Sequence, residues 1–239
     1  MIRPLAAVST AAIAGWAAPA LLRGRALRTA ICPRLAGMGR PDHLALTFDD
    51  GPDPDATPAV LEVLDRLGVT ATFFMLGAQV ARHPQVAAAV VAAGHEAAVH
   101  GFTHRNHLAR GPIDVCRDVT HAASVVAAAT GTRPTWFRPP YGVMTAASLV
   151  ATRRAGLRPV LWTAWGRDWE DRSPVQVAAT VRGQLAPGGT VLLHDSDCTT
   201  QVAGSWRATV VALPLLAELA DQLGCQLGPL RDHVDSSGR

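Results

Sequence analysis

Two pairs of side chains stand out for the chemistry they could do together: the adjacent carboxylates Asp49 and Asp50, and His100 with His104 four residues on. Two imidazoles at that spacing can reach one ion, and a carboxylate from elsewhere in the chain would complete a facial set of three protein ligands. Such a set leaves positions open for water and substrate, as a catalytic metal site requires. Adjacent aspartates also allow divided labour. One can bind the ion while the other accepts a proton from water whose pKa the ion has lowered to about 7. A histidine on the opposite side could then protonate the leaving group.

Taken singly, each piece has an ordinary reading. Asp49-Asp50-Gly51-Pro52 is frequent turn chemistry, His194 suits a satisfied core histidine, and Arg138 suits a structural ion pair. Their weight comes from where the chain puts them. From Pro41 onward, short apolar runs alternate with helical stretches closed by glycine. The pattern predicts strands over His43–Phe48, Thr70–Leu76, Glu96–Val99, Thr135–Arg138, Pro159–Thr163, Thr190–Leu193 and Cys225–Leu227. Helices are expected from an N-cap at Thr57-Pro58 to Gly68, over Pro84–Ala93, Asp114–Ala129 and Ala146–Ala155, from Ser173-Pro174, and over Arg207–Leu223.

Repeated βα units imply a parallel sheet, either a closed barrel or a doubly wound open sheet, and about seven repeats favour the barrel. Catalytic residues of such folds gather at the carboxyl ends of the strands. Here those ends carry Asp49-Asp50, His100, Arg138, Asp168-Trp169 and His194-Asp195.

The 239 residues are 49% hydrophobic and 17% charged, a globular balance that excludes disorder. The net charge of +3 is uneven: residues 1–40 hold six arginines and no acid. The remaining 16 basic residues face 19 acidic ones, and a slightly acidic body without a basic stripe argues against nucleic acid. Cys32, Cys116, Cys198 and Cys225 form no CxxC, so inert buried thiols are expected in place of a disulfide framework or structural zinc site. Residues 4–22 are free of charge and flanked by arginines, so residues 1–40 are expected to form an export signal, a membrane anchor or a surface helix. The location, membrane-bound or exported in the first two cases and cytoplasmic in the last, follows from which it is. Residues 41–239 are expected to be one domain, in a monomer.

Five segments, taken in order, resemble the polysaccharide deacetylase family, which shares the NodB homology domain and is also called carbohydrate esterase family 4. They are TFDDGP at Thr47–Pro52, His100–His104, RPPYG at Arg138–Gly142, Asp168-Trp169 and LLHD at Leu192–Asp195. The likeness runs from about His43 to Leu227 and implies a single distorted (β/α)7 barrel that removes acetyl groups from N-acetylated amino sugars of a glycan, peptidoglycan or chitin-like. It implies Asp49 as the base, Asp50, His100 and His104 as ligands of a divalent metal, usually zinc, with cobalt, manganese or nickel as other ions that would fit. Arg138 would orient Asp49, His194 would be the acid, the backbone N–H of Tyr141 would stabilise the oxyanion, and Trp169 and Leu192 would hold the acyl methyl.

The chain departs from the family pattern twice. Gly101 stands where Ser or Thr usually follows the first histidine, and Trp165 where D-x-x-D-W usually has its first Asp. The second departure leaves Asp168 and Asp195 as rival partners for His194. Two other functions fit the same barrel: hydrolysis of a non-sugar cyclic amide, or glycan binding without turnover.

Overall fold

A computed structural model describes residues 14–233. Its centre is β1 (His43–Asp49), a strand buried along its whole length. Such a strand must be covered on both faces, which suits a parallel sheet wrapped by helices. Alternation along it sorts the core. Leu46 and Phe48 point outward to pack with Phe73, Met75 and the helix residues Val60 and Leu64. Ala45 points inward with Phe74, Ala98, Trp136, Val160 and Leu230. Each large side chain so buried contributes about 1.5–3 kcal/mol.

Parallel strands follow on either side of β1. On one side stand β2 (Thr72–Met75), β3 (Glu96–Val99), β4 (Trp136–Phe137) and β5 (Arg158–Pro159); on the other stand β7 (Thr190–His194) and then β6 (Ala164–Trp165). The short β8 (Gln226–Gly228) pairs with the first residues of β1, on the edge opposite β7, because Ala45 is matched to both Thr190 and Gly228. The sheet curls into the expected distorted barrel.

Eight helices surround or follow it: α2 (Ala56–Leu67), α3 (Gly77–Arg82), α4 (Pro84–Ala92), α5 (Pro112–Thr130), α6 (Ala146–Ala155), α7 (Pro174–Arg182), α8 (Trp206–Gln222) and α9 (Leu230–His233), with α1 (Arg25–Ile31) ahead of them. Several boundaries obey the local rules. Ser173 caps α7 in a reciprocal box with Gln176 ahead of Pro174, and α2, α5 and α6 stop at the left-handed residues Gly68, Gly131 and Gly156.

Three sequence expectations are corrected. Thr57 is not the cap of α2: the helix begins at Ala56, and the Asp53 carboxylate accepts the N–H groups of Asp55 and Ala56. The thiols are not uniformly buried, since Cys198 is exposed. The apolar run Pro159–Thr163 is not one strand either. It leaves the sheet after Pro159 and returns as β6.

Among the described residues no strand pairing joins β5 to β6. The seam between them is filled by the amino-terminal arm. Leu161 donates its N–H to Leu35 O at 2.8 Å, Arg28 Nη2 donates to Trp162 O at 2.6 Å, and Arg25 Nη1 donates to Thr163 O at 3.1 Å. From inside the barrel, Arg138 Nη2 satisfies Leu161 O at 3.0 Å. The seam's polar backbone groups are thus met by side chains and a loop where a closed barrel would use another strand. Part of the expected signal or anchor, residues 1–13, lies outside the described residues. No helix among those described is long and apolar enough to cross a membrane.

Candidate active site

Asp49 is the last residue of β1 and projects into the barrel at its carboxyl end, where the register sets it beside Phe74 of β2 and His194 of β7. Asp50 follows with a φ of 80°, a left-handed turn that points consecutive carboxylates to one place. The Gly51–Pro52 peptide is cis. This loop is tied down by Asp195, whose Oδ1 accepts Gly51 N–H at 3.2 Å and whose Oδ2 accepts the Thr57 hydroxyl at 2.6 Å. A Cβ at position 51 would lie 2.2 Å from Asp195 Oδ2, so only glycine permits the approach. Burial, opposed by the Thr57 hydrogen bond and reinforced by Asp50, pushes the Asp195 carboxyl up to about 7.

His100 directly follows β3, and a loop carries the chain to His104. Gly101 has a φ of +93°, and a Cβ there would meet Asp118 Oδ2 at 2.9 Å. Asp118 accepts Phe102 N–H at 2.8 Å and the Thr103 hydroxyl at 3.0 Å, and Arg110 pairs with it at 2.5 Å. A buried carboxylate from α5 therefore holds the loop around Gly101.

The ligand atoms of Asp50, His100 and His104 all lie within 4.8 Å of one another. His100 Nε2 is 3.5 Å and His104 Nε2 3.7 Å from Asp50 Oδ1. Two observations fit a cation among them. Asp50 Oδ1 is buried without a hydrogen-bond partner, a position costly to leave empty of positive charge. His100 Nδ1 lies 2.9 Å from Arg138 O, which fixes the proton there and turns the Nε2 lone pair toward Asp50. Burial, against the pull of Asp50, lowers His100 to about 3, so it is neutral and ready to ligate at ordinary pH. The other oxygen of Asp50 accepts the Thr199 hydroxyl at 2.5 Å.

Asp49 borders this set and is held by Arg138. Its Oδ1 takes Arg138 Nη1 at 2.7 Å, and its Oδ2 is 3.7 Å from His100 Nε2. Arg138 is itself wholly buried, shares Nη1 with Thr47 Oγ1 at 2.9 Å, and lies 4.0 Å over the Phe74 ring. Burial raises the Asp49 pKa, while the charge and hydrogen bond of Arg138 hold it down.

His194 ends β7, and its partner is Asp168. His194 Nδ1 lies 2.9 Å from Asp168 Oδ1, while Asp168 Oδ2 accepts His194 N–H at 2.8 Å and the Thr209 hydroxyl at 2.6 Å. Asp195 is occupied with the Asp50 loop, so the rivalry between the two aspartates ends in favour of Asp168. Trp165 therefore takes nothing from the dyad. It lies 4.8 Å from Trp169 and 5.9 Å from Trp162, ring to ring, in an aromatic wall that continues to His194. Burial alone would lower His194, but the Asp168 charge and hydrogen bond outweigh it and raise it to about 9. Burial would raise Asp168, and the pairing with His194 leaves it below the ordinary value.

Asp49, Asp50, His100, His104 and His194 face one cavity of about 710 Å³, with Leu192, Trp169 and the exposed Tyr141 on its wall. Tyr141 has a φ of 60°, and its ring lies 4.4 Å from that of His104. Sequence reasoning brought these strand ends together but missed Thr199 and Thr209, whose hydroxyls donate to Asp50 and Asp168, and Thr47, which accepts from Arg138. It also missed Arg23, Arg25 and Arg28 of the arm, which line the same cavity. A lone threonine or arginine carries no spacing signal that could have exposed them.

The polysaccharide deacetylase family model matches residues 36–160. A chitooligosaccharide deacetylase of Bradyrhizobium sp. (strain ANU 289) is 37% identical over 193 residues, covering 77% of this chain and 87% of that protein. The peptidoglycan-N-acetylglucosamine deacetylase of Listeria monocytogenes is 34% identical over 171 residues, covering 72% of this chain and 36% of the longer relative. Among solved structures, a family 4 carbohydrate esterase from Streptomyces lividans, in complex with acetate, superposes with a TM-score of 0.70 at 29% identity, covering 78% of this chain and 92% of that one. The likeness in sequence and fold spans the strand ends that assemble the cavity, and this chain belongs to the polysaccharide deacetylase family of hydrolases.

Proposed function

We propose that the protein removes N-acetyl groups from amino sugars of a glycan, using Asp50, His100 and His104 to hold a divalent ion, zinc first among those that fit. The observation that carries the reading is the cluster of Asp50, His100 and His104, whose ligand atoms lie within 4.8 Å of one another beside an Asp49 held by Arg138. When bound, such an ion supplies Lewis acidity, making water acidic enough for a carboxylate to deprotonate and polarising an acyl oxygen.

The remaining steps belong to the chain's own side chains. Asp49 takes the proton from water, its oxygen aimed by Arg138. The Tyr141 N–H donates to the acyl oxygen as charge develops there. His194, beside Asp49 on the neighbouring strand, gives its proton to the departing amine nitrogen, while Asp168 fixes the ring and its tautomer. Leu192 and Trp169 confine the acetyl methyl. The named relatives act on chitooligosaccharides and on peptidoglycan N-acetylglucosamine, and N-acetylglucosamine residues are the common element we carry over to this protein.

The direct test is acetate release from N-acetylated chitin and peptidoglycan oligomers in the presence of zinc, cobalt, manganese or nickel. Metal-dependent release is expected, and absence of acetate across glycans and ions would refute the deacetylase reading. The pH profile should be bell-shaped. Rate is gained as pH rises through the Asp49 pKa, because the base must be ionised, and lost as pH rises through that of His194, because the acid must keep its proton. Asp168→Asn removes the strongest influence raising His194. The alkaline limb should then move to lower pH and kcat should fall by about 10²–10⁴, as removal of an orienting carboxylate does elsewhere. An unmoved alkaline limb would show that His194 is not the acid.

A further inference from the structure

The cavity has two chemically different ends. One holds Asp49, Asp50 and the two histidines on strands β1 and β3. The other is built by the arm on the seam, where Arg23, Arg25 and Arg28 line the cavity beside Trp162 and Gln184. Arg25 anchors through one nitrogen only, with Nη1 3.1 Å from Thr163 O and 3.4 Å from Gln184 O. Arg28 is 2% exposed; Nη1 donates to Leu22 O and Arg23 O, Nη2 to Trp162 O, and Nε has no partner.

None of the three arginines has a carboxylate within ion-pair distance among the described residues. The carboxylates in the cavity lining are Asp49, taken by Arg138, and Asp50, facing the histidines. A buried guanidinium with neutral carbonyls as its only acceptors is a costly arrangement, and burial followed by its neighbours Arg138 and Arg25 lowers Arg28 to about 10. Sealing the seam takes Arg25 Nη1 and Arg28 Nη2, but no seam carbonyl uses Arg23 or Arg25 Nη2 among the described residues. Three unneutralised cations around an open cavity are instead suited to an anion brought from outside.

We propose that this arginine rim is an anion subsite that selects glycans carrying a carboxylate on the sugar next to the one being deacetylated. The inference rests on the deacetylase reading. With the acetyl group at the Asp–His end and a sugar face on the Trp165–Trp169 wall, the neighbouring sugar extends toward the arm, where Arg23 and Arg25 present exposed guanidinium forks over the buried Arg28. The planar fork of arginine matches a carboxylate through paired hydrogen bonds.

The test compares an N-acetylated disaccharide bearing a free lactyl carboxylate with the same disaccharide amidated at that carboxylate. For the wild-type protein we expect kcat/KM to favour the acid by about tenfold, chiefly through KM, with the preference shrinking as salt is raised. In the double variant Arg23→Gln/Arg25→Gln, both exposed positions, the acid-to-amide ratio should collapse toward one. Equal use of acid and amide by the wild type, or a preference that survives the double substitution, overturns the subsite. Calorimetric binding of the two disaccharides decides the matter even if neither is turned over: tighter binding of the acid that disappears in the variant upholds the subsite, and equal binding rejects it. Lack of turnover with any glycan would count against the deacetylase reading alone.

Discussion

Asp49→Asn should lower kcat by about 10³ while leaving the metal content of the purified protein at the wild-type level. The two halves of that expectation come from different atoms. Asn keeps the size and still accepts a hydrogen bond from Arg138, but it cannot take a proton from water. The trio of Asp50, His100 and His104 makes no use of Asp49. His104→Ala should produce the reverse pattern, with metal lost and the Asp49–Arg138 pair intact, since His104 lies on the loop after β3 and makes no hydrogen bond to either partner. Metal analysis beside acetate release separates the two variants. Wild-type turnover in Asp49→Asn would remove it as the base, and full metal occupancy in His104→Ala would remove that histidine as a ligand.

Arg138→Met should cost about 3–5 kcal/mol of stability at neutral pH, because breaking a buried ion pair strands the surviving charge. Thr47 Oγ1 and Leu161 O would also lose a donor. The penalty has a predictable sign with pH. Burial already raises the Asp49 pKa above the unfolded value, and deleting the cation that restrains it raises it further. An acid whose folded pKa exceeds its unfolded one leaves stability fully present below the unfolded pKa and loses it as pH rises through the folded pKa. The variant should therefore be weakest toward alkaline pH and regain stability in acid, which urea unfolding at pH 5 and pH 8 would reveal. An equal loss at both values would mean that Asp49 is not the group left uncompensated.

How far the site could be read from the chain depends on how local its determinants are. The Asp49-Asp50 turn and the His100–His104 loop each sit within a few residues of a strand end, so periodicity alone placed them at one mouth. The partner of His194 was undecidable by that route, because Asp168 and Asp195 are both near an expected strand end. Only the fold shows that Asp195 is used to hold Gly51 and Thr57. The fifth strand failed for a related reason. Val160, Leu161, Trp162 and Thr163 have the composition of a strand, yet Leu161 and Trp162 bond to the arm and Arg138 in place of a neighbouring strand, and Thr163 divides its bonds between the arm and Thr190 of β7. An uncharged stretch followed by arginines looks the same in sequence whether those arginines face lipid headgroups or carbonyls of a barrel seam. Gly101 was legible as a departure, but not the carboxylate from α5 that compensates for it.

The arm that closes the seam also sets an order of events during synthesis. Arg28 leaves the ribosome before its acceptor on Trp162, which lies 134 residues later, and the β7 strand flanking that region follows later still. Docking of the arm closes a long loop, and such long-range contacts are slow to form. The nascent protein would thus be expected to assemble β1 to β4 with an unsealed flank. One wall of the cavity would then be finished by residues made before β1 returning to a face made after β4.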